Sequence, residues 1–392
     1  MIHVKLILTA IEGVILGSFT GIMPGIHVNT AIIFLATIFP PNLSLVVLVI
    51  SASIAHTFAD VIPSTFLGVP DESFAVSVYP AHEMAMDGRG FEAVSTATFS
   101  GVAATLLSLP LFFLILHLNY MVVKEFTLPV LAAVSLFIIA GERGDFLSGR
   151  FNVWFSRLKA LAVFLLSGVL GIVAFGLSFN GLLPLFSGLF AFPVLYQGFR
   201  SGVTLPESER KVSFRMKSTL TGTVSGALVS LFPGISSGVA SAIAVSPFSE
   251  SDSESYVSAA GAANTANAIL CLSVLSAFGK ARNGAALALK ATGFTPGIQL
   301  IPVLTFSAFL SAIVTLLLAD LFDKTVAKIN QKILSFLSLL IVLLAVFALT
   351  GVEGMALFAV SSAAGMLPVK LGVRRLNCMG CLLLPLILIY AS

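Results

Sequence analysis

Two Pro-Gly steps interrupt apolar stretches of this chain, in Gly17-Ser-Phe-Thr-Gly-Ile-Met-Pro24-Gly25-Ile26 and in Gly226-Ala-Leu-Val-Ser-Leu-Phe-Pro233-Gly234-Ile235. Proline has no N–H to give the helix and clashes with the preceding turn, while glycine reaches backbone shapes closed to other residues. Each step should therefore end one helical rod and open another. Polar residues follow both breaks: His27, Asn29 and Thr30 after the first, and Ser236, Ser237 and Gly238 after the second. A half-helix opening there presents free N–H groups and a partial positive charge, which suit an anion. The plainer alternative is a proline kink packed by small residues.

Ionisable residues in apolar surroundings are the second signal. His56 and Asp60 stand four apart and share a helix face, with Thr57 beside them. A charge at the centre of a bilayer costs ~2.5–3.5 kcal/mol or more, so such a pair is a functional candidate. It could take up H⁺ or Na⁺ in coupled transport, or be a hydrogen-bonded pair near the membrane surface. The corresponding stretch later in the chain carries Asn264, Thr265 and Asn267, which could ligate a cation or bond a carboxylate. A third pair of segments has opposed charges: Gly68-Val-Pro-Asp71-Glu72-Ser73 and Gly279-Lys280-Ala-Arg282-Asn283-Gly284. As tips of re-entrant hairpins they would let Lys280 and Arg282 attract an anion, or pair with Asp71 and Glu72. Surface loops would read the same way.

The elements that hold these residues must lie in lipid. Of 392 residues, 57% are apolar and only 10% charged, with mean hydropathy +1.05. Ordinary soluble domains carry ~25% charge, so soluble-enzyme and nucleic-acid readings fall away. Spanning helices of ~20 residues give roughly 10 to 14 membrane segments, all α-helical. The apolar run at the N-terminus is expected to be a retained first helix.

The two Pro-Gly motifs recur at an offset of 209, and His56-Thr57 meets Asn264-Thr265 at nearly the same offset. This predicts two homologous repeats, 1–200 and 201–392. Four basic loops, at 142–158 with Lys159 at their border, 198–217, 322–332 and 367–376, hold 15 of the 21 Lys and Arg. They occupy non-equivalent places in the two halves. Since basic loops favour the cytoplasmic side, the repeats should be inverted, with discontinuous or re-entrant helices and both termini extracytoplasmic. Lys280, Arg282 and Lys290 do not fit that bias.

Other chemistry finds no support. There is no nucleophile–base arrangement, no HExxH and no Walker loop, so neither an enzyme nor an ATPase is expected. Cys271 stands alone, and Cys378 with Cys381 forms an isolated CxxC in an apolar run, which reads as packing and not as a metal site.

Several blocks resemble the large permease subunit of tripartite tricarboxylate transporters: Gly21-Ile-Met-Pro24-Gly25; Val61-Ile-Pro63-Ser-Thr-Phe-Leu-Gly68-Val-Pro70; and Tyr79-Pro80-Ala-His-Glu-Met84-Ala-Met-Asp87-Gly88-Arg89-Gly90. Pro233-Gly234, Ala259–Asn267 and Val373–Ile387 resemble the family's second half. The resemblance implies a secondary transporter in the cell (inner) membrane, moving organic anions on an ion gradient. It also implies a small membrane subunit and an extracytoplasmic solute-binding protein as partners. The second motif is also similar to the polyprenyl-phosphate transporter family, which leaves a lipid-carrier flippase as an alternative. A non-transporting membrane scaffold is a third. The expected ligand is a small di- or tricarboxylate between the two breaks, with Na⁺ or H⁺ as coupling ion and no other cofactor.

Overall fold

The computed structural model describes residues 2–23, 28, 31–32, 35–36, 39–69, 78–142, 150–178, 181–201, 205–232 and 252–392. Within them every regular element is helical. The first half contains α1 (Ile2–Ile22), α2 (Leu43–Ala59), α3 (Val61–Phe66), α4 (Val78–Met86), α5 (Gly90–Leu116), α6 (Tyr120–Ala140), α7 (Arg150–Phe175), α8 (Leu182–Phe186) and α9 (Phe192–Ser201). A π-helical turn, Ser187–Ala191, joins α8 to α9. The second half contains α10 (Met216–Leu231), α11 (Ser253–Phe278), α12 (Gly284–Thr292), α13 (Ile301–Val326), α14 (Gln331–Gly365), α15 (Leu367–Leu371) and α16 (Gly380–Ala391).

Local chemistry sets the helix ends. The side chains of Asn42, Asn119, Asp252, Asn283 and Asn330 accept the first free N–H groups of α2, α6, α11, α12 and α14. Gly279 and Gly293 close α11 and α12 in the left-handed conformation.

Among the described residues, nine helical stretches are long and apolar enough to cross a membrane, and Arg375–Ala391 is a shorter apolar one. The stretch Lys332–Leu371 would run about 60 Å if straight, twice the hydrocarbon thickness. It is broken at Gly351 (φ 65°, ψ −158°).

Burial sorts these helices. In the most apolar 18-residue window of each, 89% of residues are buried in the α2–α3 stretch and 78% in α11, against 28% in α6 and 33% in the stretch containing α14. The first two are therefore central, and the last two present Leu136, Phe126, Leu344 and Phe347 outward as a lipid-facing surface.

Small residues let the central helices approach closely. A Cβ at Gly17 would run into the backbone of Ala52, and one at Gly13 into Leu48 and Ser51. Likewise a Cβ at Gly226 would strike Ala263, and one at Gly222 would strike Ala259. The α1–α2 and α10–α11 pairs are thus built on matching residues, as in close-packed membrane helices generally.

Other contacts exchange partners between the halves. Ser100 bonds Ser258 and Ser307 bonds Ser51, each at 2.8 Å; swapping the halves maps one pair onto the other. Gly380 lies on Phe164 and Ser167, with Gly171 on Cys381. Correspondingly, Gly188 lies on Phe358 and Ser361, with Gly365 on Leu189. The matching helices α5 and α13 also present opposite ends to one segment. Lys211 pairs with Glu92 at the start of α5, while Arg210 pairs with Asp320 and Ser208 bonds Asp323 at the end of α13.

Candidate functional site

The residues after both Pro-Gly breaks, which are Pro24, Gly25, His27, Asn29, Thr30, Pro233, Gly234, Ser236, Ser237 and Gly238, lie outside the described residues. So do Asp71, Glu72 and Ser73. The described part of the site is where α2 meets α11.

Asp60 ends α2 and starts α3. Its backbone N–H reaches His56 O, and Ser64 Oγ donates to its carbonyl at 3.0 Å. Its side chain has 0% exposure. Asn264 Nδ2 donates to Asp60 Oδ2 at 2.6 Å, joining the two halves through a buried carboxylate. One turn back, Thr57 Oγ1 and Thr265 Oγ1 stand 3.3 Å apart. These two are equivalent residues of the repeated motif, so the contact sits where an axis relating the halves would pass. His56 Nδ1 lies 3.1 Å from Thr20 Oγ1 on α1, which in turn donates to Gly17 O. Gly101 on α5 presses against Thr265 and Phe58, where a side chain would intrude.

The structure therefore brings together Asp60, Thr57, Asn264 and Thr265, and ties His56 to the first Pro-Gly motif. Asn267 is separate from them: its Oδ1 accepts from Cys271 Sγ one turn along α11. Lys280 and Arg282 part company. Lys280 is exposed, its Nζ 5.5 Å from the centre of the Tyr120 ring. Arg282 is half-buried and donates from Nη2 to Leu231 O at 3.1 Å, two residues before Pro233. Thr20 and Gly101 escaped the sequence reading. Thr20 stands inside the Gly17–Pro24 motif and could have been singled out there, whereas Gly101 gives no signal.

A profile of the tripartite tricarboxylate transporter TctA family matches residues 7–380. The chain belongs to this family. It is also similar to an uncharacterized protein of Methanocaldococcus jannaschii, at 27% identity over 98% of each chain. No solved structure matches it. With its apolar helices, this places the chain among multi-pass membrane proteins of a transporter family.

This TctA-family chain has a second polar assembly at the end where the basic loops gather. Arg89 donates to Glu92 at 2.8 Å and to Glu254. Arg215 Nε reaches Glu254 at 2.8 Å, Ser213 Oγ donates to the same carboxylate at 3.1 Å, and Lys211 stands 3.5 Å from Glu92. The hydrogen bond to Glu92 is the main cause holding the Arg89 guanidinium above its ordinary range. At the same end Arg374 approaches Glu142 at 3.4 Å, and Arg375 donates to Gln197 at 3.3 Å. These contacts connect the four basic loops with one another or with the helix ends beside them. A cleft of about 480 Å³ beside Arg89 and Lys211 also carries Asp87, Glu207 and Glu209, a surplus of carboxylate unsuited to anions. Cys271, Cys378 and Cys381 are buried free thiols, and no metal-ligating cluster occurs among the described residues.

Proposed function

We propose that this chain is the permease of a secondary transport system that moves a small organic anion, a di- or tricarboxylate, by alternating access coupled to H⁺ or Na⁺. The observation that carries the reading is the Asp60–Asn264 bond: a fully buried carboxylate held between the two halves, next to the Thr57–Thr265 contact. Intramembrane carboxylates at repeat interfaces are where transporters couple ions to substrate. Asp60, with His56 and Thr57 beside it, is the coupling group. On the sequence expectation alone, the segments after Pro24-Gly25 and Pro233-Gly234 take the substrate, with Asn29, Thr30, Ser236 and Ser237 orienting it.

The opposed directions of α5 and α13, and the partner exchange between matching residues, support inverted repeats with their boundary near residue 200. The clustering of basic loops at one end supports a cytoplasmic location for that end, in the cell membrane, with both termini on the other side. A small membrane subunit and an extracytoplasmic solute-binding protein complete the system, as the family's name for its three parts suggests.

The test is uptake of labelled di- and tricarboxylates into proteoliposomes under imposed proton or sodium gradients. Uptake that collapses with the gradient in the native chain, and that Asp60→Asn makes gradient-independent, is the expected result. Silence of the native chain toward every carboxylate, with either gradient, overturns it.

A further inference from the structure

We propose that Arg282, carried into the protein interior by a re-entrant hairpin, holds a carboxylate of the transported anion; this rests on the carboxylate reading above. The chain reverses at Gly279, whose φ of +65° suits the turn. Asn283 Nδ2 then donates to Ala268 O at 3.4 Å. Ala268 precedes Gly279 by three helical turns, about 16 Å of rise, so the segment after Gly279 runs back along α11. Asn283 caps α12, and α12 climbs out again until Lys290 Nζ donates to Gly279 O at 2.9 Å. The tip of the hairpin is therefore Arg282-Asn283. It is not a surface loop: Ala285, Ala286, Ala288 and Leu289 are buried in one core with residues of α2, α11 and α13.

At that tip the guanidinium leans on the last carbonyl of α10, Leu231 O, where the chain enters the second Pro-Gly step. Its Nε is buried and makes no hydrogen bond among the described residues. Arg89, Arg210, Arg215 and Arg374 each sit on a carboxylate, whereas no ion pair among the described residues includes Arg282. A guanidinium whose Nε is shut off from water, with no counter-ion among the described residues, is costly, and its planar fork of donors matches a carboxylate. The first N–H groups of α12 add partial positive charge at the same place. Lys280 is exposed at the hairpin's outer end, over the Tyr120 ring.

The experiment uses the purified full-length chain and titrates its thermal stabilisation with a tricarboxylate, that tricarboxylate's monomethyl ester, a dicarboxylate, inorganic phosphate and a polyprenyl phosphate. The native protein is expected to bind the tricarboxylate more tightly than its ester. Arg282→Gln should weaken tricarboxylate binding by about tenfold or more and erase the preference over the ester, while Arg282→Lys restores part of both. A purely structural role would not move that preference. As a second measurement, the tricarboxylate should slow alkylation of Ala281→Cys, a residue beside Arg282, relative to the native thiol background. Unchanged binding and preference in folded Arg282→Gln, or an unaltered alkylation rate, overturns the inference and leaves the carboxylate reading standing. A native chain that answers only to phosphate or polyprenyl phosphate overturns both.

Discussion

At the scale of the residue, burial gives single hydrogen bonds unusual weight. Asp60 has no access to bulk water, and Asn264 supplies a short bond to it from the opposite half. Hydrogen bonds to charged groups contribute about 1.5–3 kcal/mol, so Asn264→Ala should lower unfolding stability by that amount, measured in detergent against Asn267→Ala. Asn267, which accepts from Cys271 on its own helix, is the control, and equal losses in the two variants would remove the special standing of the pair. His82 offers a test by pH. It lies on α4 outside the spanning helices, and Nδ1 donates to Thr65 O at 2.8 Å. Burial is the larger influence and lowers its pKa below the ordinary 6.5. The unfolded chain then takes up a proton at higher pH than the folded one. Stability from this group is complete above 6.5 and is lost as pH falls from 6.5 through the lowered value. Melting temperature followed over that range should drop less steeply in His82→Gln than in the native protein, and parallel curves would refute the assignment.

At the scale of the element, two kinds of glycine do different work. Gly17 and Gly226 are places where two helix backbones touch, and Gly279 is a place where the backbone must turn left-handed in open space. Gly17→Ala and Gly226→Ala should each destabilise by about 1–3 kcal/mol or more, since the facing backbone cannot yield. Gly279→Ala meets no neighbour and carries only the left-handed cost, about 1–2 kcal/mol. If Gly279→Ala proved the worst of the three in thermal unfolding, the close-approach account would fail.

These glycines also mark what the sequence made legible. Gly17 and Gly226 stand at a shared offset of 209, so the sequence alone matches the first Pro-Gly segment of one half with that of the other. The match between Phe164-Ser167-Gly171 and Phe358-Ser361-Gly365 was not legible, because there the offset has shifted to 194 and the shared residues are few. Asp60 and Asn264 were visible because an ionisable or amide side chain is rare in an apolar run. The Ser51–Ser307 and Ser100–Ser258 pairs were not, since a lone hydroxyl in a membrane helix looks like any small residue. Nor was the depth of Arg282, which follows from the reversal of the chain onto α11 and not from its neighbours in sequence.

At the scale of the whole molecule, the two halves are clasped at one end by charge. Glu254, at the start of α11, is 7% exposed and receives Arg89 from the first half together with Arg215 and Ser213. The arginines are more than a third exposed, so solvent screens much of the attraction, and the network is a weak contributor to overall stability. Its position is more telling than its strength. It binds the first turns of α5 and α11 to the segment before α10, and Ser100, Ser258 and Thr219 form a hydroxyl cluster just beneath, at 2.8–3.1 Å. Under the alternating access proposed above this end would part in one state, and an assembly of partly hydrated charges can part at little cost where a hydrophobic seam could not. Glu254→Gln removes the carboxylate shared by both arginines, and the expected consequence is a larger population open at the basic end. Ser258→Cys, at a buried position in this structure, reports it: its labelling by a membrane-impermeant thiol reagent applied from the basic side should quicken several-fold in the Glu254→Gln background. Glu254→Asp, which keeps a carboxylate between the two arginines, should hold the rate near that of the native network. Equal labelling rates in all three backgrounds, with melting temperatures unchanged, would mean that this end opens elsewhere and that the charges only dress its surface.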